Sequence, residues 1–293
     1  MNEIATPFDQ RSVRHHRDRA AAHPDDDTDF LFHDVSDRLL DRMDDITRQF
    51  PTALELGARR GHLADGLNGR NGIERLFQSD CSPGFVQHLR HRRLAAQDDL
   101  LPFAFGSLDL VISNLALHWV NDLPGALSQI RRALKPDGLF LASILGGETL
   151  HELRGVLADA EIAVTGGLSP RLSPMVDVRD AGALMQRAGF ALPVVDIDRI
   201  DVTYSDALAL MRDLRAMGET NAVLERPRGM ARRDVLLSAA ALYAERHANA
   251  EGRIPATFDV LFLTGWAPHE SQQKPLRPGS GQISLTQVLG DNA

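Results

Sequence analysis

The stretch Thr52-Ala53-Leu54-Glu55-Leu56-Gly57-Ala58-Arg59-Arg60-Gly61 constrains this chain more than any other. A short apolar run ends in an acidic residue, passes into a glycine loop, and residues 62–67 begin a helix. That order reads as strand, tight turn and helix, the local form of a nucleotide-type binding crevice. Gly57 permits the turn, with Ala58 beside it, and Gly61 lets the next helix pack closely. Amide groups at the helix start then face a polar or anionic ligand group. A second acidic strand end, Asp80 in Leu76-Phe77-Gln78-Ser79-Asp80, follows about 20 residues after the glycines, where a ribose needs an acceptor. Glu55 alone also fits a satisfied polar residue at a strand end, and Asp80 an exposed turn residue. The two at this spacing point to a ligand.

Alternation continues beyond the loop. Residues 30–50 read as a helix, 53–56 and 75–81 as strands, 83–94 as a helix and 94–97 as a short third strand. Residues 108–113 form a continuous apolar run, the signature of a strand buried on both faces. A helix over 123–134, stopped by Lys135-Pro136-Asp137-Gly138, leads into a fifth strand over 138–145. Such an order implies right-handed crossovers and a parallel sheet. In the second half, 148–164, 178–188, 205–217 and 232–247 read as helices. Residues 194–204 alternate apolar and acidic, as an exposed edge strand does, and 258–266 are a last apolar run.

The chain has 293 residues, enough for one α/β domain with an insertion, and 43% of them are hydrophobic. Its net charge of -8 argues against general binding to nucleic acid or anionic membrane. One cysteine, Cys81, rules out an internal disulfide and fits a reducing compartment, hence a cytoplasmic location. No apolar run is long enough for a transmembrane helix. Arg11 to Arg19 have some transit-peptide flavour, but Asp25, Asp26 and Asp27 follow at once. Residues 1–28 are therefore expected as a disordered polar tail, 29–268 as the folded domain and 269–293 as a mobile C-terminal tail. None of the 11 histidines joins cysteine or paired acids at metal-ligand spacing.

Two further segments carry candidate chemistry. Gln97 and Asp98, after the third strand, suit hydrogen bonds to an adenine amino group, although alone they read equally as a solvated turn. Ser113-Asn114-Leu115-Ala116-Leu117-His118-Trp119-Val120 follows the fourth strand, where open α/β sheets place their ligands. His118 is the candidate catalytic base, against the alternative of a structural histidine, and Trp119 a wall of the substrate pocket. Cys81 fits a small space beside Asp80.

The run from Leu108 through Leu115-Ala116-Leu117-His118-Trp119-Val120-Asn121-Asp122-Leu123 to Leu134-Lys135-Pro136-Asp137-Gly138 resembles class I S-adenosylmethionine-dependent methyltransferases. It is similar to the group that esterifies a malonyl carrier-protein thioester in biotin synthesis. Gly146-Gly147-Glu148-Thr149-Leu150-His151-Glu152-Leu153-Arg154, Gly167-Leu168-Ser169-Pro170, Met217-Gly218-Glu219-Thr220-Asn221 and Gly265-Trp266-Ala267-Pro268-His269-Glu270-Ser271-Gln272 resemble more closely the methyltransferase-like assembly factors of respiratory complex I. The resemblance implies a Rossmann-like, mostly parallel seven-stranded sheet, its last strand antiparallel, with helices on both faces and a helical cap. It implies S-adenosylmethionine as cofactor, with Glu55, Gly57 and Gly61 at its methionine part, Asp80 at the ribose, Gln97 and Asp98 at the adenine, Asn114 near the reactive end, and Ala58 and Cys81 among the cofactor-binding residues. The implied acceptor is a protein or a carrier-bound group, including a complex I subunit, through which the chain would sit at the inner membrane. The same resemblance leaves arginine hydroxylation and a non-enzymatic assembly chaperone as alternative functions. The family usually has glycine where this chain has Arg59, and an acid where it has Gln97.

Overall fold

Successive side chains along the central strands point to opposite faces, and each face finds its own hydrophobic layer. In the computed structural model, which describes residues 6–23 and 28–273, β1 (Thr52–Leu56), β2 (Arg75–Asp80), β3 (Arg92–Ala95), β4 (Leu108–Asn114) and β5 (Leu134–Leu145) run parallel. β6 (Ala191–Tyr204) and β7 (Ile254–Trp266) complete a seven-stranded sheet in the order β3-β2-β1-β4-β5-β7-β6. β7 lies antiparallel to both its neighbours, with Leu141 opposite Thr264 and Asp198 opposite Val260. The architecture agrees with the expectation from sequence, and β6 is an edge strand rich in acids.

The faces separate cleanly. Ala53, Leu110, Ile112, Leu139 and Leu141 pack with α2 (Phe30–Asp44), α3 (His62–Leu67), α6 (His151–Thr165), α8 (Ala207–Ala216) and α9 (Arg233–His247). Leu54, Val111, Phe140 and Ala142 pack with α5 (Leu123–Ala133) and α7 (Val178–Arg187) on the other side. α6 and α9 pack on each other, and with α8 they form the helical cap.

Two local expectations need correcting. The helix expected over 83–94 is only α4 (Pro83–Val86). The His91 amide donates to Gln78 Oε1 at 3.1 Å, and Arg92–Ala95 pair with β2, so the chain is drawn into the sheet before a second helical turn forms. The N-terminal stretch also departs from a disordered tail: residues 10–22 form α1 (Gln10–Ala22), N-capped by Asp9, whose side chain accepts from the Ser12 amide. Val13, Ala20 and Ala21 are buried, and Arg17 is only 1% exposed. Its stability comes from partners far along the chain, as the site shows. Of the expected C-terminal tail, 274–293 lie outside the described residues. Gln272 is tied to the body, donating to Asp137 Oδ1 at 2.8 Å and to the Ala267 carbonyl at 2.9 Å.

Candidate functional site

The loop after β1 is a left-handed elbow. Gly57 (φ 73°), Arg59 (φ 48°) and Gly61 (φ 79°) all take positive φ, and Gly61 caps α3. A Cβ on Gly57 would meet the Ala116 Cβ at 2.2 Å, so only glycine lets the β1 and β4 loops approach this closely. The Gly57 and Ala58 amides both donate to the Ser79 carbonyl. The Arg59 amide donates to Asp80 Oδ2 at 3.0 Å and the Ser82 amide to Oδ1 at 2.8 Å. Asp80 is thereby fixed, fully buried, at the carboxyl end of β2.

The cation that faces Asp80 is Arg17. Its Nη1 lies 3.6 Å from Asp80 Oδ1 and 3.0 Å from Asp98 Oδ2, 3.3 Å from Cys81 Sγ, and its Nη2 donates to the Ala116 carbonyl at 3.5 Å. Burial opposes the guanidinium charge, but the Asp98 and Asp80 carboxylates beside it outweigh burial and hold it protonated. Burial pushes the Asp98 carboxyl up to about 6 despite Arg17. It also pushes the Cys81 thiol up to about 12, so this sulfur is no thiolate nucleophile.

Arg59, the departure in the glycine loop, turns away from these acids. Its guanidinium stacks 3.8 Å over the Phe32 ring, lies 3.3 Å from Glu219 Oε1 and donates to the Met217 carbonyl. Glu219 is the hub of this second network. Its Oε2 accepts from Trp119 Nε1 at 2.7 Å and lies 3.1 Å from His118 Nε2. Burial alone would raise the Glu219 carboxyl, but the His118 bond and charge, with Arg59 and Arg17, hold it at about 2. The ring is held through Nε2 against this carboxylate, and its Nδ1 is buried without a hydrogen-bond partner.

The remaining sequence candidates divide. Asp98 is buried beside Asp80, while Gln97 is exposed and contributes no side chain there. Glu55 is buried below the loop and accepts from Gln78 Nε2 at 2.7 Å; burial pushes it up to about 8, so it offers no free carboxylate at neutral pH. Asn114 is fully engaged: its Nδ2 donates to the Phe32 carbonyl and Ser36 Oγ, and its Oδ1 accepts from Ser143 Oγ. It ties β4 to α2 and β5. Trp119 lines a cavity of about 1040 Å³ under the cap; His118 does not. Two residues of this site escaped sequence reasoning. Arg17 lay hidden in a polar segment with no apolar period. Glu219 stands within the Met217–Asn221 motif, which carried a family likeness but no chemical signal of its own.

The donor and acceptor chemistry fits an adenosyl group. Asp98 Oδ1 is buried without a partner, a spare acceptor on the carboxylate whose Oδ2 meets Arg17. The guanidinium supplies Asp80 and Asp98 with donors of the kind that ribose hydroxyls and an adenine amine present. None of Glu55, Gly57, Asp80 or Asp98 lines the large cavity, so the acid pair and the cavity are separate compartments. Among the described residues, no group of three or more His, Cys, Asp or Glu could hold a metal ion, and no helix is long and apolar enough to cross a membrane.

Comparison with known proteins gives a consistent picture. A methyltransferase-domain family model matches residues 54–142. The chain is 42% identical over 287 residues to the mitochondrial arginine-hydroxylase NDUFAF5 of Danio rerio, covering 96% of this chain and 89% of that one. It is 34% identical over 289 residues to the malonyl-(acyl-carrier protein) O-methyltransferase of Halorhodospira halophila, covering 96% and 95%. In three dimensions it is similar to the YcgJ protein of Bacillus subtilis, with a TM-score of 0.56 at 14% identity over 79% of this chain and 99% of that one.

Proposed function

The chain belongs to the methyltransferase-domain family that holds the NDUFAF5 arginine-hydroxylases and the malonyl-(acyl-carrier protein) O-methyltransferases, and from that premise we propose that it transfers a methyl group from S-adenosylmethionine to a protein or carrier-bound acceptor. The observation that carries this reading is the buried pair Asp80 and Asp98, set at the carboxyl edge of a parallel sheet on either side of one guanidinium.

When bound, the cofactor supplies an activated methyl group. The protein's share is to hold its adenosyl part and align an acceptor. Asp80 would accept the ribose hydroxyls and Asp98 Oδ1 the adenine amine, both in place of Arg17. The elbow at Gly57 and Ala58 would lie against the rest of the ligand. Trp119, Met217 and Glu219 form the wall of the large cavity next to this compartment. His118, bonded through Nε2 to Glu219, would be the group that takes the proton of a hydroxyl or amine acceptor once that acceptor reaches its ring. A carboxylate acceptor needs no such help.

The test is transfer of labelled methyl from S-adenosylmethionine to a protein extract, with calorimetry of cofactor binding beside it. Label in a discrete acceptor supports the reading; cofactor binding without label removes methyl transfer; no binding leaves an assembly chaperone. Full activity in His118→Ala removes the histidine from the mechanism.

A second reading is favoured by the higher identity, 42% against 34%, to relatives named as arginine-hydroxylases. Under it, the chain modifies an arginine of a complex I subunit, which would also place it at the inner membrane through its partner. Mass spectrometry of those subunits from a deletion strain separates the two: loss of one oxygen supports hydroxylation, loss of one CH₂ supports methylation.

A further inference from the structure

The 1040 Å³ cavity under α6, α8 and α9 stands at the upper end of small-molecule pockets, about 300–1,000 Å³. Its floor is aliphatic and aromatic: Leu145, Leu150, Leu153, Leu157, Leu214 and Phe258. A sugar or nucleotide would find little to hydrogen-bond there, and its polar atoms would be stranded.

Charge at the cavity has one sign in excess. Five arginines line it against three carboxylates, although the chain as a whole is acidic. Each carboxylate is already matched: Asp9 by Arg226, Glu161 by Arg171, Glu219 by Arg59. Arg215 and Arg228 line the cavity, are exposed, and have no acidic partner among the described residues. Two of its lining residues also carry a buried donor without a partner. Ser173, 7% exposed, has no partner for Oγ, and Arg171, two residues away, none for Nε. A polar group left unpaired this way costs about 1–3 kcal/mol, so the pair of donors marks a place for an acceptor oxygen.

We propose that this cavity binds a long-chain carboxylate, its chain along the leucine floor and its anionic head at Arg171 and Ser173, with Arg215 and Arg228 adding field at the mouth. The same field opposes entry of an arginine side chain. The inference rests on the methyl-transfer reading only in that Trp119, Met217 and Glu219, shared with the cofactor side, would make such an amphiphile the acceptor; binding itself does not depend on it.

The full chain is titrated with cis-parinaric acid, without cofactor, and the fluorescence displaced by palmitate or hexadecanol. Saturable binding, with palmitate displacing at least about tenfold better than the uncharged alcohol, is expected. Arg215→Glu with Arg228→Glu, both on the surface, should weaken palmitate several-fold while leaving the alcohol unchanged. Leu153→Trp should abolish probe binding, and circular dichroism shows whether it is folded. Absence of saturable binding to the wild type overturns the proposal. So does equal displacement by palmitate and hexadecanol, or by an acidic peptide and palmitate. Because no methyl donor is present, these results stand apart from success or failure of methyl transfer.

Discussion

Arg17 Nη1 lies 3.0 Å from Asp98 Oδ2, and this one contact joins a helix at the start of the chain to the loop after β3. The guanidinium stands between the two acids proposed above to hold an adenosyl group, and under that proposal ligand and side chain would exclude each other. α1 is anchored besides by Phe8 against Trp119 and by Asp18 against Ser82.

Removing that guanidinium should act oppositely on the free and the liganded protein. Breaking a buried pair leaves carboxylates uncompensated and costs about 3–5 kcal/mol. Arg17→Ala therefore melts earlier without ligand, and Arg17→Gln, which keeps donors, less so. Both should bind S-adenosylhomocysteine about tenfold more tightly, because the site no longer has to be vacated first. Thermal melts with and without the ligand, and calorimetry, check this; weaker binding would make Arg17 a ligand contact instead.

Glu55 should make stability fall as pH rises. Its folded pKa, about 8, lies above the unfolded value of an ordinary glutamate. Between roughly pH 4.3 and 8 the native state holds a proton that the unfolded state has lost, and unfolding free energy declines across that window. Glu55→Gln should remove this slope. It should raise the melting temperature at pH 7.5, by a stability on the order of 1–3 kcal/mol, and converge with wild type near pH 4. Denaturant melts at several pH values measure it.

Glu219 should behave in the opposite sense. Its depressed pKa, about 2, gives stability that is present above the unfolded value and lost as pH falls toward 2. Glu219→Ala strands buried Arg59 and frees Trp119 Nε1, and should cost about 3–5 kcal/mol. Glu219→Gln keeps one acceptor oxygen, enough for Trp119 Nε1 or Arg59 but not both, and should cost less than Glu219→Ala. If His118 is the base, its substitution should also shift the pH profile of methyl transfer.

Gly57→Ala combines positive φ with a Cβ 2.2 Å from that of Ala116. Ligand binding should be lost, because the β1 and β4 loops must separate. Calorimetry on the soluble variant is the check.

The sheet was legible because its strands are continuous apolar runs between breakers, and the glycine elbow because positive φ leaves few residues to choose from. Asp80 followed from its distance to that elbow. What escaped was non-local. Arg17 is buried by acids 63 and 81 residues away, and no hydrophobic period marks a helix whose innermost side chain is charged. The identity of the inward acid, Asp98 over its neighbour Gln97, depended on one residue of register after β3. Asn114 and Glu55 are polar in sequence, yet hydrogen bonds to Phe32, Ser36, Ser143 and Gln78 already consume them.

β7 is made last of the strands but lies between β5 and β6. On the ribosome, a nascent polypeptide that has emerged only as far as Tyr204 therefore has its sixth strand without a neighbour to zip against, and an open flank on β5. Until residues 254–266 arrive and wedge between them, both edges offer themselves to other chains. Premature termination within that final stretch would lose the partner of two strands at once, leaving a product with a parallel half-sheet and two sticky borders.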